Sequence, residues 1–546
     1  MKVDRRRWLG AIGALPLAAC MSSRESGFPA TGWIGADPTI GHRLRTAPPD
    51  SQEAAERLAT DVLIVGGGIG GLSAGWWLER AGLGDFLVAE IQPTAGGNAR
   101  GGGNEISRFP LGAHYLPLPT RESFTLRRLL ADLGALKGDP DGLRPRYEER
   151  LLCAAPQERL LRHGHWQEGV IPDAGLSKSE REEFSHFFAL VGGYRNRSGT
   201  RKAFALPMAC SRLDDEMRHL DTKTFGDWLR ENGLTCAPLR WYVDYACRDD
   251  FGTPADAVSA WAGLHYFASR DGMAEGAAND VVLTAPEGNA WITEGLAQRL
   301  GPRVRCGWMV RRLTRTRSGF EASIDDVGSG RSIVCAAKAV IWAAPLFIAA
   351  RVIEQLPDLA RAHATQIDYA PWVMAQLTLE SAPPERPGAE RAWDNVVYGA
   401  RSLGYVVATH QRLSAAQAPT VWTWYHALTG APSPILRQQL LASTPEYWAR
   451  FAIEELAPAY PELLPHVQRI DCIRHGHAMA RPRPGFLTAP ARHWFAQGVA
   501  GLQFAHADVS GFSVCEEAHA RGVAAAERIA ARLRGRMPDP SVIYSV

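Results

Sequence analysis

Short-spaced cysteine pairs are missing. After Cys20 the chain carries Cys153, Cys210, Cys236, Cys247, Cys306, Cys335, Cys472 and Cys515, none in a C-x-x-C arrangement. Neither a dithiol redox centre nor a zinc framework is signalled, and no metal is expected. An excess of one charge is missing too. Sixty Lys and Arg stand against 58 Asp and Glu, a net charge of +2, which gives no argument for nucleic acid or an anionic surface. No lysine occurs after Lys338. The apolar run from Trp8 to Ala19 is too short to span a bilayer as a stable helix. What is present is ordinary in bulk. With 46% hydrophobic and 22% charged residues over 546 positions, the chain can bury a large core and hold more than one lobe. Seventeen tryptophans suit large aromatic-lined cavities, although core packing accounts for most of them.

The first twenty residues read as a targeting segment. Arg5-Arg6-Arg7-Trp8-Leu9 looks like a twin-arginine signal, and Leu17-Ala18-Ala19-Cys20 resembles a bacterial lipoprotein box whose cysteine is acylated. Two or more acyl chains at Cys20 anchor a protein stably to a membrane face. The alternative is a basic amino terminus before an uncleaved anchor. The expectation is a cell-envelope protein on the periplasmic side, exported folded by the twin-arginine route. Residues 21–58, rich in Ser, Gly and Pro with scattered charge, read as a tether.

The strongest local pattern follows. Thr60-Asp-Val-Leu-Ile-Val-Gly-Gly-Gly-Ile-Gly-Gly-Leu-Ser-Ala74 reads as a buried strand, a glycine turn and a helix opening near Ile69. Gly66, Gly68 and Gly71 fit G-x-G-x-x-G. The first permits the turn, the second lets backbone approach a pyrophosphate, and the third lets helix and strand pack closely. No acid lies between Gly66 and Gly75 to repel the anion. The next strand, Asp85-Phe-Leu-Val-Ala-Glu90, ends in an acid roughly 20 residues on, where a ribose hydroxyl needs an acceptor. Only one such fingerprint is visible, so a reductase drawing on NADPH as a second nucleotide is not signalled, and oxygen, a quinone or a protein carrier is the expected electron acceptor.

Ala95-Gly-Gly-Asn-Ala-Arg100 and Arg108-Phe-Pro-Leu-Gly-Ala-His-Tyr115 then decide the dinucleotide. With the fingerprint, they resemble the flavin-containing amine oxidase superfamily, which also holds phytoene desaturases and protoporphyrinogen oxidases. The resemblance implies FAD. It places Gly96, Gly97 and Arg100 after the ribose-binding acid and Gly112 beside the flavin. Asn98 stands where an arginine is commoner. The resemblance also sets the backbone of Val310, in Trp308-Met-Val-Arg-Arg-Leu313, against the adenine. Ala344 would border the FAD at the end of the strand Ala339-Val-Ile-Trp-Ala-Ala-Pro345.

Residues from about Tyr115 to Arg270 read as largely helical, with apolar residues at three- and four-residue spacing. Arg248, Asp249 and Asp250 follow an aromatic helix and read either as a polar cluster at a pocket wall or as a loop whose aspartates cap the next helix. Residues 369–487 read as a mixed sheet over the flavin. Tyr369-Ala-Pro-Trp372 opens the part where many amine oxidases carry a lysine near the flavin, which this chain lacks. His475 and His477 share a strand face, and two ligands alone do not make a metal site. Arg481-Pro-Arg-Pro-Gly-Phe486 looks like the superfamily's turn presenting an aromatic to the flavin. Trp372, Phe486 and Phe512 are therefore candidate cavity walls.

Near the carboxyl end, Val499-Ala-Gly-Leu-Gln-Phe-Ala-His-Ala-Asp508, Ser510-Gly-Phe512 and a helix from about Val514 to Arg534 resemble the superfamily's closing motif. Asp508 fits the ribityl- or phosphate-contacting acid. Backbone at Val514 or Cys515 is a candidate donor to the flavin pyrimidine edge. His506 replaces a glycine and reads as a phosphate neighbour or a core histidine.

The expected fold is α/β. A Rossmann-like FAD-binding domain is assembled from residues 59–115, 286–350 and 491–536. A mainly helical insertion (116–285), a mixed-sheet substrate domain (351–490) and a tail (537–546) complete the chain. The expected activity is hydride transfer from an amine, such as a polyamine, to flavin N5, with His114 and Asp250 as catalytic candidates. A desaturase or isomerase of an apolar substrate is the alternative, and a flavin-bearing binding protein without turnover is a third.

Overall fold

The computed structural model describes residues 28–46, 56–197, 199, 201–278, 280–412 and 418–543. Cys20 and the signal lie outside them. A seven-stranded sheet carries the fingerprint. Its order is Val304–Cys306, Phe86–Glu90, Glu56–Val65, Ser332–Trp342, Phe320–Asp326 and Trp308–Arg315, with Leu502–Phe504 also pairing with Ser332–Trp342. The strands around Glu56–Val65 run parallel, with Val62 opposite both Phe86 and Ala339. Their continuous apolar sequences follow from burial on both faces, and Val62, Ile64, Val88 and Ile341 are fully buried. One face is covered by the helices Ile69–Arg80 and Cys515–Leu533. They approach closely because Gly70 and Gly522 meet, and a Cβ at Gly522 would strike the Gly70 carbonyl.

The second lobe is an eight-stranded sheet whose centre is Val467–Ala480, Tyr369–Leu379 and Thr420–Ala427. Helices Ser433–Ala442 and Pro445–Leu456 close one face over Trp422 and Trp424, while Trp372, Met374 and Tyr425 belong to the cluster on the other. Between the lobes, a helical insertion packs around Phe187, Trp228, Trp261 and Phe267.

Four expectations need correction. The insertion is not wholly helical: Glu158–Arg162 and His165–Glu168 extend the second sheet. There the buried Arg159 stacks on Trp166 at 3.9 Å and pairs with Glu385. The expected tether is folded over residues 28–46, where Ala30–Trp33 pairs in parallel with Val467–Ala480 and is followed by the helix Pro38–Thr46; Glu56–Leu58 already belongs to the first sheet. The expected tail is docked over its described part, since Glu527 accepts from the Asp539 N–H and Val542 is 2% exposed in the core. Finally, Asp249 and Asp250 lie inside the helix Ala237–Phe251, and Ser259 caps the next one.

Candidate cofactor groove and active site

The groove begins where the strand Glu56–Val65 ends. Gly66 has φ +110°, and a Cβ there would lie 2.8 Å from the Ala343 carbonyl carbon, so a side chain cannot follow this turn. Gly68 caps the helix Ile69–Arg80, whose first turn has no acid and no side-chain cap. Its first N–H groups are thus left for an anion. Gly71 is buried away from the groove, where a Cβ would strike the Gly66 carbonyl. Glu90 is fixed at the neighbouring strand end, Oε2 accepting from the Gly67 N–H and Oε1 from the Gln92 N–H, both at 2.8 Å. Gly96 and Gly97 turn with positive φ beside Gly68. Val310, Ala344, Asp508, Val514 and Cys515 line the same groove.

Two buried acceptors along this groove lack a partner in the protein. Asp508 Oδ2 accepts from the Tyr369 hydroxyl at 2.6 Å and the Leu346 N–H at 2.9 Å. Its Oδ1 lies 3.1 Å from His506 Nδ1, which bonds to it only when the ring carries a proton there; while Nδ1 accepts the Asp508 N–H, Oδ1 has no donor. Asn289 donates from Nδ2 to the Tyr115 carbonyl at 2.7 Å, and its Oδ1 has no donor. Such groups are costly unless a ligand or water satisfies them.

Asn289, Asn98, Val514 and Cys515 also line an inner cavity walled by Gly112, His114, Tyr115, Trp372, Met374 and His475. Burial holds the His114 ring down at about 4, so it is neutral at neutral pH, with Nδ1 3.3 Å from the Gly112 carbonyl. Tyr115, Asp249 and Arg270 are shared with an outer cavity. That cavity carries five carboxylates (Glu158, Asp249, Asp271, Asp280 and Asp394) and two arginines, Arg195 and Arg270. Burial and the charge of Asp250 push the Asp249 carboxyl up to about 6. Burial and neighbouring Asp280 push Glu158 to about 7. Asp394 accepts from the Tyr425 hydroxyl at 3.0 Å, and burial raises it well above the usual range.

Residues 64–133 match the profile of an NAD(P)-binding Rossmann-like domain. Similar solved structures include a putrescine oxidase bound to putrescine, 17% identical, covering 88% of this chain and 100% of that one, TM-score 0.61. Cyclohexylamine oxidase from Brevibacterium oxydans is 16% identical, with coverage of 87% and 99% and a TM-score of 0.61. A CLA-producing fatty acid isomerase from P. acnes is 14% identical, with coverage of 85% and 97% and a TM-score of 0.60. No curated protein sequence matches the chain. The chain has the amine-oxidase fold.

In this amine-oxidase fold the expected residues separate into three groups. Gly66, Gly68, Glu90, Gly96, Gly97, Val310, Ala344, Asp508, Val514 and Cys515 meet at the groove, and Gly112, His114, Asp250 and Trp372 at the inner cavity. Arg100 lines neither; its Nε donates to the Gly97 carbonyl at 3.1 Å, and Asn98 holds the wall position instead. Phe486 and Phe512 are corrected as cavity walls. They pack on Trp261 in the core of the helical insertion, and Phe512 is 1% exposed. Asp250 is ion-paired to Arg270. His475 Nε2 lies 2.6 Å from the Leu111 carbonyl and His477 stacks on Phe347 at 4.4 Å. Among the described residues no group of three His, Cys, Asp or Glu can hold a metal. His506 lines the groove. Asn289, Glu158, Asp394 and Tyr425 were missed, because they come from separate segments with no local motif.

Proposed function

We propose that the chain is an FAD-dependent oxidoreductase that takes a hydride from the carbon beside an amine nitrogen. One observation carries this reading: the dinucleotide groove shares walls with an inner aromatic cavity, which shares walls with an outer cavity rich in carboxylates. The groove suits FAD, whose hydroxyl and N–H groups supply donors of the kind that Asp508 Oδ1 and Asn289 Oδ1 lack. When bound, the flavin supplies the hydride-accepting ring.

The chain's own residues bind and orient. Glu90 offers carboxylate lone pairs to ribose hydroxyls, and the helices opening at Ile69 and Cys515 direct N–H groups at the cofactor. Trp372, Met374 and Tyr115 hold the substrate and exclude water, and neutral His114 adds no charge to repel a cation. Asp249, raised only to about 6, is ionised at neutral pH and attracts an ammonium group, and a cation bound in the outer cavity favours the ionised forms of Glu158 and Asp394, which burial raises. The spread of the three over the outer cavity favours a small amine with more than one nitrogen. A flavin reduced there would need oxygen, a quinone or a protein carrier as its electron acceptor.

A second reading, desaturation or isomerisation of an apolar substrate, is favoured by the apolar inner wall (Trp372, Met374, Ala478, Met479) and by the absence of lysine after Lys338. The amino-terminal motifs further support export by the twin-arginine route and lipid anchoring at Cys20 on the periplasmic side of the cell envelope.

An anaerobic donor screen on the purified yellow protein tests the choice. Bleaching by a polyamine panel, with peroxide on re-aeration, supports amine oxidation. Bleaching only by lipophilic polyenes or porphyrinogens selects the second reading, and no bleaching by any donor overturns both.

A further inference from the structure

We propose that the N-terminal helix Pro38–Thr46 is part of the cofactor site, with Gly41 leaving room for the dinucleotide and Leu44 forming a wall against it. The proposal rests on the reading of the groove as an FAD site. Gly41 and Leu44 are three residues apart, share one helical face, and both line the groove. Leu44 packs against the apolar cluster that holds Val310 and Trp342.

Gly41 has no reason within the protein to be glycine. Inside a helix, glycine is less favourable than alanine because the unfolded backbone has more freedom to lose. At Gly66 and Gly71 neighbouring backbone forbids a side chain, whereas a Cβ at Gly41 would meet no heavy atom within 4 Å. The missing side chain therefore keeps groove space open, as expected where backbone approaches a ligand closely.

The helix is held in place from the other lobe. Ala30–Trp33 pairs with Val467–Ala480, the Ile34 N–H donates to the Cys472 carbonyl at 2.9 Å, and Arg474 stacks on Trp33 at 4.5 Å. Asp37 accepts from the Thr39 N–H at the helix start. The helix itself carries Arg43 and Arg45 and no acid, a charge suited to a diphosphate. A segment tied to the second lobe thus lines the first lobe's groove, and a bound dinucleotide bridges the two.

The test uses the mature chain stripped of flavin, with FAD binding followed by flavin fluorescence and cofactor-free stability by thermal melting. Gly41→Ala is expected to melt at or above the wild-type temperature without cofactor, yet to bind FAD about tenfold more weakly. Gly41→Leu should bind more weakly still, and Leu44→Ala should lose flavin faster. Wild-type affinity in both Gly41 variants overturns the inference and leaves the FAD reading standing. A wild-type protein that takes up no FAD overturns both.

Discussion

The Tyr115 hydroxyl donates to Asp249 Oδ2 at 3.2 Å, and both residues stand in the wall shared by the inner and outer cavities. A substrate passing between the cavities meets this pair. Its carboxyl, raised to about 6, changes charge within the ordinary assay range.

The pH dependence follows in two parts. Without ligand, the folded state binds the Asp249 proton more tightly than the unfolded chain, so stability falls as pH rises from about 4 through 6. Asp249→Asn removes that loss, so the flavin-free variant should gain about 3 kcal/mol over wild type above pH 6 and nothing at pH 4, by urea unfolding. For an amine substrate, kcat/KM should rise as Asp249 ionises near pH 6, and the variant should lack that rise.

Asp250 and Arg270 form a buried ion pair, with Arg270 also stacked on Tyr266 at 4.2 Å. Asp250→Asn leaves the guanidinium uncompensated and should cost about 3–5 kcal/mol of stability. Asp250→Asn with Arg270→Met should recover most of it in chemical denaturation. A single variant as stable as wild type would rule out this structural role for Asp250.

Glu90 accepts backbone N–H groups with both oxygens. In Glu90→Gln one of those N–H groups must face an amide NH₂, at a cost of about 1–3 kcal/mol. FAD titration of the stripped variant should show weaker binding by about tenfold or more, with little change in kcat once the site is saturated.

Cys20→Ser should abolish incorporation of labelled fatty acid and move the protein from the membrane fraction to the soluble one. Replacing Arg5, Arg6 and Arg7 by lysine should leave the full-length precursor in the cytosol. Both are read by fractionation and immunoblotting.

Some of this site was legible in the sequence because its chemistry is local. Gly66, Gly68 and Glu90 belong to one strand–turn–helix–strand unit, and a turn near φ +110° at Gly66 leaves a trace in the residue type itself. Asp508, Val514 and Cys515 were legible for the same reason, as a turn feeding a helix start. Phe486 shows the limit. An aromatic after a proline-glycine turn can pack to either side, and Trp261 captured it for the helical core. The aspartates of Ala237–Phe251 show another, since Asp249 and Asp250 had to be placed on a helix before they could be placed at a cavity.

The chain's order of residues alone determined a dinucleotide-binding sheet, because close-packed glycines and a buried parallel strand are constraints among neighbours in sequence. Only the tertiary structure decided what surrounds it. Glu158 and Asp394 are opposite each other on paired strands, the helix Ala237–Phe251 brings Asp249 to the same cavity, and the pairing of Ala30–Trp33 with Val467–Ala480 carries Gly41 to the cofactor groove. Those contacts leave no periodic mark on any single segment.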